Sequence, residues 1–261
     1  MNISLLHKTA LVCGSSQGIG LATAIELALL GANCILFARN ELALQAAIVQ
    51  LDTSLGQVHQ YLLADFNDVV QVKQTIEHFV STNHIQIVVN NSGGPQGGPI
   101  TLAAEQEFID TFNRHLICNH IITKAVIPSM QAAGYGRFIN IISTSVKIPL
   151  PNLGVSNTIR GAVASWAKTM ANELGQFNIT VNNILPGATN TQRLQSIITN
   201  NAAKKETNIT TIEAEMLKEI PAKRFAEAAE IASVVAFLAT PAASYINGVS
   251  IPVDGGRTGS M

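Results

Sequence analysis

This sequence predicts a doubly wound α/β domain: a parallel sheet of about seven strands, with helices on both faces. Three observations carry that expectation. Short β-branched and aliphatic runs alternate with longer stretches rich in Ala, Leu, Glu and Gln. The connections between them are short, so successive strands should lie parallel through right-handed crossovers. A glycine cluster follows the first run and opens the first helical stretch, at the end of the sheet where such folds bind ligands.

In chain order, the predicted strands are residues 9–13, 33–37, 58–63, 85–90, 137–142, 179–185 and 250–253. Helical patterns occupy 19–30, 41–55, 68–81, 102–133 and 153–174. One segment breaks the rhythm. Residues 192–222 are polar, rich in Asn, Thr and Lys, and follow Pro186-Gly187. That is too long for an ordinary connection. It reads as a helical lid over the crevice, or else as a surface insertion.

Composition bounds the function. The chain has 261 residues and a net charge of -1, so it carries no electrostatic footprint for nucleic acid. Mean hydropathy is +0.28 and only 13% of residues are charged. A core on both faces of a parallel sheet accounts for this, as would extra burial between subunits. Cys13, Cys34 and Cys118 are scattered, with no C-x-x-C. Neither a disulfide framework nor a metal site is expected, and a reducing cytoplasm is the expected compartment. No stretch reaches the ~18 apolar residues of a membrane span.

The glycine cluster is Gly14-Ser15-Ser16-Gln17-Gly18-Ile19-Gly20. Gly14 turns the chain out of the strand, Gly18 lets backbone approach a pyrophosphate, and Gly20 lets helix and strand pack closely. The helix start then offers free N–H groups to phosphates. The chain is thus expected to be one Rossmann-type nucleotide-binding domain. The second strand ends Leu36-Phe37-Ala38-Arg39. A carboxylate there would hold the ribose 2′-hydroxyl of NAD(H), but Ala38 offers none. The planar fork of Arg39 suits a 2′-phosphate, so NADP(H) is favoured over NAD(H).

The spacing G-x-x-x-G-x-G resembles the short-chain dehydrogenase/reductase family, and further motifs agree in order from about Leu6 to Arg257. Asp65 resembles the family's adenine-contacting Asp. Asn90-Asn91-Ser92-Gly93 resembles its N-N-A-G, so the resemblance places Asn91 and Gly93 at the cofactor. Pro186-Gly187 resembles the P-G after the sixth strand, with Thr189 and Thr191 near the carboxamide end of the cofactor. Arg224-Phe225 and the stretch from Tyr245 to Gly256 resemble 3-oxoacyl-(acyl carrier protein) reductases. The resemblance implies a small-molecule keto or hydroxy substrate, NADP(H) as cofactor, and a homotetramer or homodimer built on the helices around 102–133 and 153–174. It implies neither nucleic-acid nor membrane partners.

The family's catalytic group is Asn, Ser, Tyr and Lys. Here the Ser matches Ser143, the Tyr position falls on Ser156, the Lys position on Arg160 and the Asn position on His115. The family's Lys also holds the nicotinamide ribose hydroxyls, so the resemblance places Arg160 at the cofactor too, where its several donors could do the same. No Tyr in the chain has Lys four residues on. A serine hydroxyl is a far weaker acid than a phenol of pKa roughly 10, and Arg stays charged under working conditions and so cannot pass on a proton. Three readings follow. In the first, the protein is an oxidoreductase with a non-standard site: Ser143 and Arg160 polarise the carbonyl, and the proton comes from water, Ser156 or His115. His115 is alternatively a helix residue at a surface or subunit contact. In the second, the protein is an NADP(H)-binding pseudoenzyme serving as sensor, scaffold or partner subunit. In the third, Arg160 and Lys147 clamp an anionic substrate for other chemistry. The first is the expectation carried forward.

Overall fold

The computed structural model describes residues 1–259. Its sheet contains β1 Thr9–Cys13, β2 Asn33–Ala38, β3 Gln60–Leu63, β4 Ile87–Asn90, β5 Gly136–Ile141, β6 Ile179–Pro186 and β7 Ser250–Val253. The seven strands are ordered β3-β2-β1-β4-β5-β6-β7, and every pair is parallel. The chain winds outward from β1 through β3, then returns to place β4 beside β1. A crevice therefore opens where the winding reverses, at the carboxyl ends of β1 and β4.

The helices are α1 Gly18–Leu29, α2 Glu41–Ile48, α3 Val69–Val80, α4 Glu105–Phe112, α5 Cys118–Ala133, α6 Gly154–Leu174, α7 Gln192–Lys204, α8 Ile209–Lys218 and α9 Ala228–Ala239. Successive strand residues feed opposite faces of the sheet. Val12 and Leu36 pack with Leu27 of α1 and Val235 and Leu238 of α9. Their neighbours Leu11 and Phe37 pack with Ile76 of α3 and Ile122 of α5. The high hydropathy is accounted for by these two cores.

Three expectations are corrected in detail. The helix expected over 41–55 ends at Ile48, because Asp52 accepts from the Ser54 amide and hydroxyl and turns the chain. The strand expected over 58–63 begins at Gln60; the Val58 amide donates to the Asn33 side chain instead. The helix expected over 102–133 is α4 and α5 joined by a π-helical turn, Asn113–Ile117, a form frequent at functional sites. Residues 192–222 contain the α7–α8 hairpin, with a small core of its own from Leu194, Ile198, Ala202 and Ile212. The Asn190 amide donates to Ala226 at 2.7 Å, joining the two ends of the insertion.

A buried amide ladder crosses the sheet. Asn90 Nδ2 donates to Asn140 Oδ1 at 2.8 Å, Asn140 Nδ2 to Asn183 Oδ1 at 2.9 Å, and Asn183 Nδ2 to Ser250 Oγ at 3.1 Å. These residues are paired by backbone register across β4, β5, β6 and β7. Asn140 and Asn183 each accept and donate within the ladder, the condition for burying an amide without large cost, whereas Asn90 Oδ1 at its end is buried with no partner among the described residues.

Candidate active site

The glycine loop lies against the end of β4. Gly14 has φ +59, and a Cβ there would stand 2.7 Å from Asn91 O. A Cβ on Gly20 would stand 2.2 Å from Gly14 O, so the start of α1 rests directly on the loop. Asn91 braces it by donating to the carbonyls of Cys13 and Gly14. Gln17, the N-cap of α1, supplies no side-chain hydrogen bond, whereas Asn40, Asp68, Thr191 and Asn208 cap α2, α3, α7 and α8. The first-turn amides of α1 thus retain the capacity to bind an anion. This steric cradle and uncapped helix fit a dinucleotide pyrophosphate.

One cofactor assignment changes. Ser15 is fully buried, and its Oγ accepts from Phe37 N at 3.0 Å. It ties the loop to β2 and does not face the crevice. Ser16 is half-buried and Gln17 exposed. Thr189 is buried and donates to Gly187 O, and Thr191 donates to Thr189 O while capping α7. Thr191 also faces Gly18: its methyl carbon would be 3.4 Å from a Cβ there. Pro186 closes β6, and Gly187 lies so near Asp254 that a Cβ would stand 2.7 Å from its Cα.

At the adenine end, Arg39 Nη1 and Asp65 Oδ2 are 3.4 Å apart, with both side chains exposed. Burial raises the Asp65 pKa, but the Asn67 amide and Arg39 outweigh it and leave the carboxyl below its ordinary range. An exposed pair of this kind is worth roughly 0–1 kcal/mol, so a phosphate can take Arg39 over.

At the other end of the crevice, Ser143 follows β5 and its Oγ accepts from Ser145 N at 3.1 Å. Arg160, half-buried on α6, donates from Nη1 to Ile141 O at 3.0 Å, two residues before Ser143. Burial, then the charge of Arg193, pulls its guanidinium down to about 10. It remains a cation at neutral pH. Ser156 lies one turn earlier on α6, half-buried. Asn157 steadies the helix start by donating to Leu150 O at 2.8 Å.

His115 lies in the π turn and is only 4% exposed, which overturns the surface reading. Its Nδ1 lies 2.8 Å from Ser92 Oγ, and its Nε2 is buried without a partner. Burial, then the charges of Arg160 and Arg114, hold its pKa well below 6.5. It is therefore neutral at physiological pH.

Comparison with known proteins now bears on this geometry. Residues 14–258 match the family model described as Enoyl-(Acyl carrier protein) reductase. The chain belongs to the short-chain dehydrogenase/reductase family. Among its relatives in this family is 3-oxoacyl-(acyl carrier protein) reductase of Pseudomonas aeruginosa, 33% identical over 259 residues that cover 97% of this chain and 98% of the relative. Cyclohexanol dehydrogenase of a Rhodococcus species is 28% identical, with 98% of both chains covered. Among solved structures, L-sorbose reductase from Gluconobacter frateurii, complexed with NADPH and L-sorbose, superposes with a TM-score of 0.93 at 28% identity, both chains fully covered.

No Tyr of this chain has Lys four residues on, and Ser156 and Arg160 lie one turn apart on α6. Tyr135 does not compensate. It is buried, donates its hydroxyl to Ala239 O, and lies between Lys8 and Arg137 as a cation–π partner. Tyr245 is fully exposed. Lys147 is exposed after a short turn. Sequence reasoning missed Ser92 as the partner of His115. It also missed Arg193, whose Nη2 donates to Pro95 O at 2.6 Å. The one available signal for Ser92 was that it replaces the alanine of N-N-A-G; nothing in the sequence connects Arg193 to Pro95.

Proposed function

We propose that this protein is an NADP(H)-dependent oxidoreductase that interconverts a ketone and a secondary alcohol at a non-standard site. The observation that carries the reading is Arg160. In this reading it replaces the family's lysine; it bonds Ile141 O, two residues before Ser143, and keeps most of its donors unspent. The reading is supported at the other end of the crevice by the Gly14–Gly20 cradle, the uncapped start of α1 and Arg39. An acyl thioester substrate is suggested by the reductase relatives. Residues 192–222 serve as the lid over that substrate, and the long helices α5 and α6 are the expected surfaces of a homodimer or homotetramer. The expected setting is cytoplasmic.

Bound NADP(H) supplies the hydride. Ser143 and Arg160 donate hydrogen bonds to the carbonyl oxygen and stabilise the charge that grows there. The resulting alkoxide gains a proton, which completes the alcohol. Because His115 is neutral and Ser156 is a weak acid, that proton comes from water reaching the site. Preorganised donors of this kind are each worth about 10²–10³ in rate, so turnover without the tyrosine is slow but real.

The test is single-turnover oxidation of bound NADPH, with 3-oxoacyl thioesters and small ketones. A fall in absorbance that Arg160→Ala abolishes supports the enzyme. Tight NADPH binding with no oxidation across the panel points to the pseudoenzyme. Failure to bind NADPH defeats the cofactor assignment.

A further inference from the structure

Arg160 and Arg193 approach one another with no carboxylate bonded to either among the described residues. A Cβ on Gly94 would lie 3.6 Å from Arg193 Nη2 and 3.7 Å from Arg160 Nη2, so both guanidinium tips reach the same point. Their protein acceptors are two backbone carbonyls, Pro95 O for Arg193 and Ile141 O for Arg160. Each guanidinium carries five N–H donors, so most remain unspent. Three of the other five arginines hold carboxylates: Arg224 holds Glu230 with two bonds of 2.6 Å, Arg39 holds Asp65, and Arg257 holds Glu219. Arg114 and Arg137 bond amide and backbone oxygens, but neither lies against a second guanidinium at Gly94.

Two like charges brought together and partly desolvated repel: burial first, and then the charge of Arg193, lowers the Arg160 pKa. The unpartnered Nε2 of His115, buried near the same charge, is a further donor or acceptor with nothing to bond. The point the two tips share is open, because a Cβ on Gly94 would meet no other atom within 4 Å apart from its chain neighbours. An anion placed there would remove the repulsion and accept bidentate bonds from two planar forks. The dinucleotide does not need these residues for its own phosphates: the cradle and α1 serve the pyrophosphate, and Arg39 serves a 2′-phosphate.

We infer that Arg160 and Arg193 form a clamp for an anionic group, carboxylate or phosphate, carried by the substrate. The inference rests on the proposed oxidoreductase only for the word substrate; the anion site itself does not depend on turnover. Arg193 stands in the first turn of α7 and Arg160 on α6, so a bound anion joins the lid hairpin to α6. Selectivity and lid closure then share one contact.

The test is calorimetric titration of the protein, with and without NADP⁺, so that no reduction occurs. The carboxylate probe is acetoacetate, matched with acetone. The phosphate probe is dihydroxyacetone phosphate, matched with dihydroxyacetone. At least one anionic probe should bind about tenfold tighter than its neutral partner, and Arg193→Gln should remove that advantage. Arg193→Lys, which keeps charge but not the fork, should fall between. Which probe binds identifies the anion. Arg193 is exposed, so both variants should retain the wild-type melting temperature. Equal binding of charged and neutral probes overturns the clamp. So does an unchanged affinity in Arg193→Gln, or a loss of NADP⁺ binding as large as the loss of probe binding, which would place Arg193 in the cofactor site. Arg193-dependent anion binding by a protein that never oxidises NADPH would leave the clamp standing and remove the oxidoreductase.

Discussion

The two ends of the crevice are built from different materials. At the glycine loop, shape is set by backbone: Gly20 lies on Gly14, Asn91 braces both, and Ser15 is bonded inward to β2. Around Gly94, two charged side chains, Arg160 and Arg193, are short of partners, and the Nε2 of neutral His115 is buried without one among the described residues. Backbone fit selects one rigid ligand shape and tolerates no added atom. Unspent donors select by charge and leave the rest of the ligand free to vary. The contrast teaches that one fold can fix its cofactor by sterics and leave its substrate to electrostatics.

The sharpest way to break this contrast is at Arg160. Arg160→Ala should slow single-turnover NADPH oxidation about 10²–10³-fold while NADPH affinity, read by fluorescence titration, changes far less. The same cation makes a pH prediction. With its pKa pulled down to about 10, Arg160 is charged below that pH and neutral above it, so the native rate should fall as pH rises through about 10. At the loop, the steric claim is tested by Gly20→Ala. A Cβ 2.2 Å from Gly14 O should cost about 1–3 kcal/mol in urea unfolding and weaken NADPH binding in step.

Smaller effects sharpen the comparison. Arg39→Ala should weaken NADPH about tenfold and leave NADH unchanged, because only one phosphate contact is lost. At His115 the effect lies in stability. Its folded pKa is held below the ordinary value by burial first and then by Arg160 and Arg114. As pH falls below about 6.5, the unfolded chain takes up a proton that the folded chain refuses, so stability should decline by at most ~1.4 kcal/mol per pH unit. His115→Asn should flatten that slope in urea midpoints measured from neutral pH downward.

The strands and the glycine loop were legible in the sequence because their signals are local. An apolar run such as Ile87–Asn90, or glycines spaced around Gln17, carries its meaning within a few residues. Arg39 and Ser143 were legible for the same reason, as the ends of recognisable strands. What stayed hidden joins distant segments. Arg193 meets Pro95 across 98 residues, and an arginine in a polar insertion reads as solvated until the insertion folds back. The π turn was hidden because the run from Leu102 to Ala133 is uniformly helix-forming, and only the break in register turns His115 inward. The fate of Ser15 could not be read because a serine in a glycine loop faces ligand or core with equal local propensity. The amide ladder was equally silent: Asn140 and Asn183 are 43 residues apart, and each alone is an odd polar residue in an apolar strand.

That ladder also sets the terrain of the crevice. Its rungs mark one level across four strands, yet the strands run on past it by different lengths. Asn90 is the last residue of β4, β5 continues to Ile141, and β6 and β7 reach three residues beyond their rungs, to Pro186 and Val253. At ~3.3 Å per residue, the floor climbs roughly 10 Å from β4 to β6. A ligand entering beneath the α7–α8 hairpin therefore descends a ramp, and its low end is the loop that carries Ser92, Gly93 and Gly94.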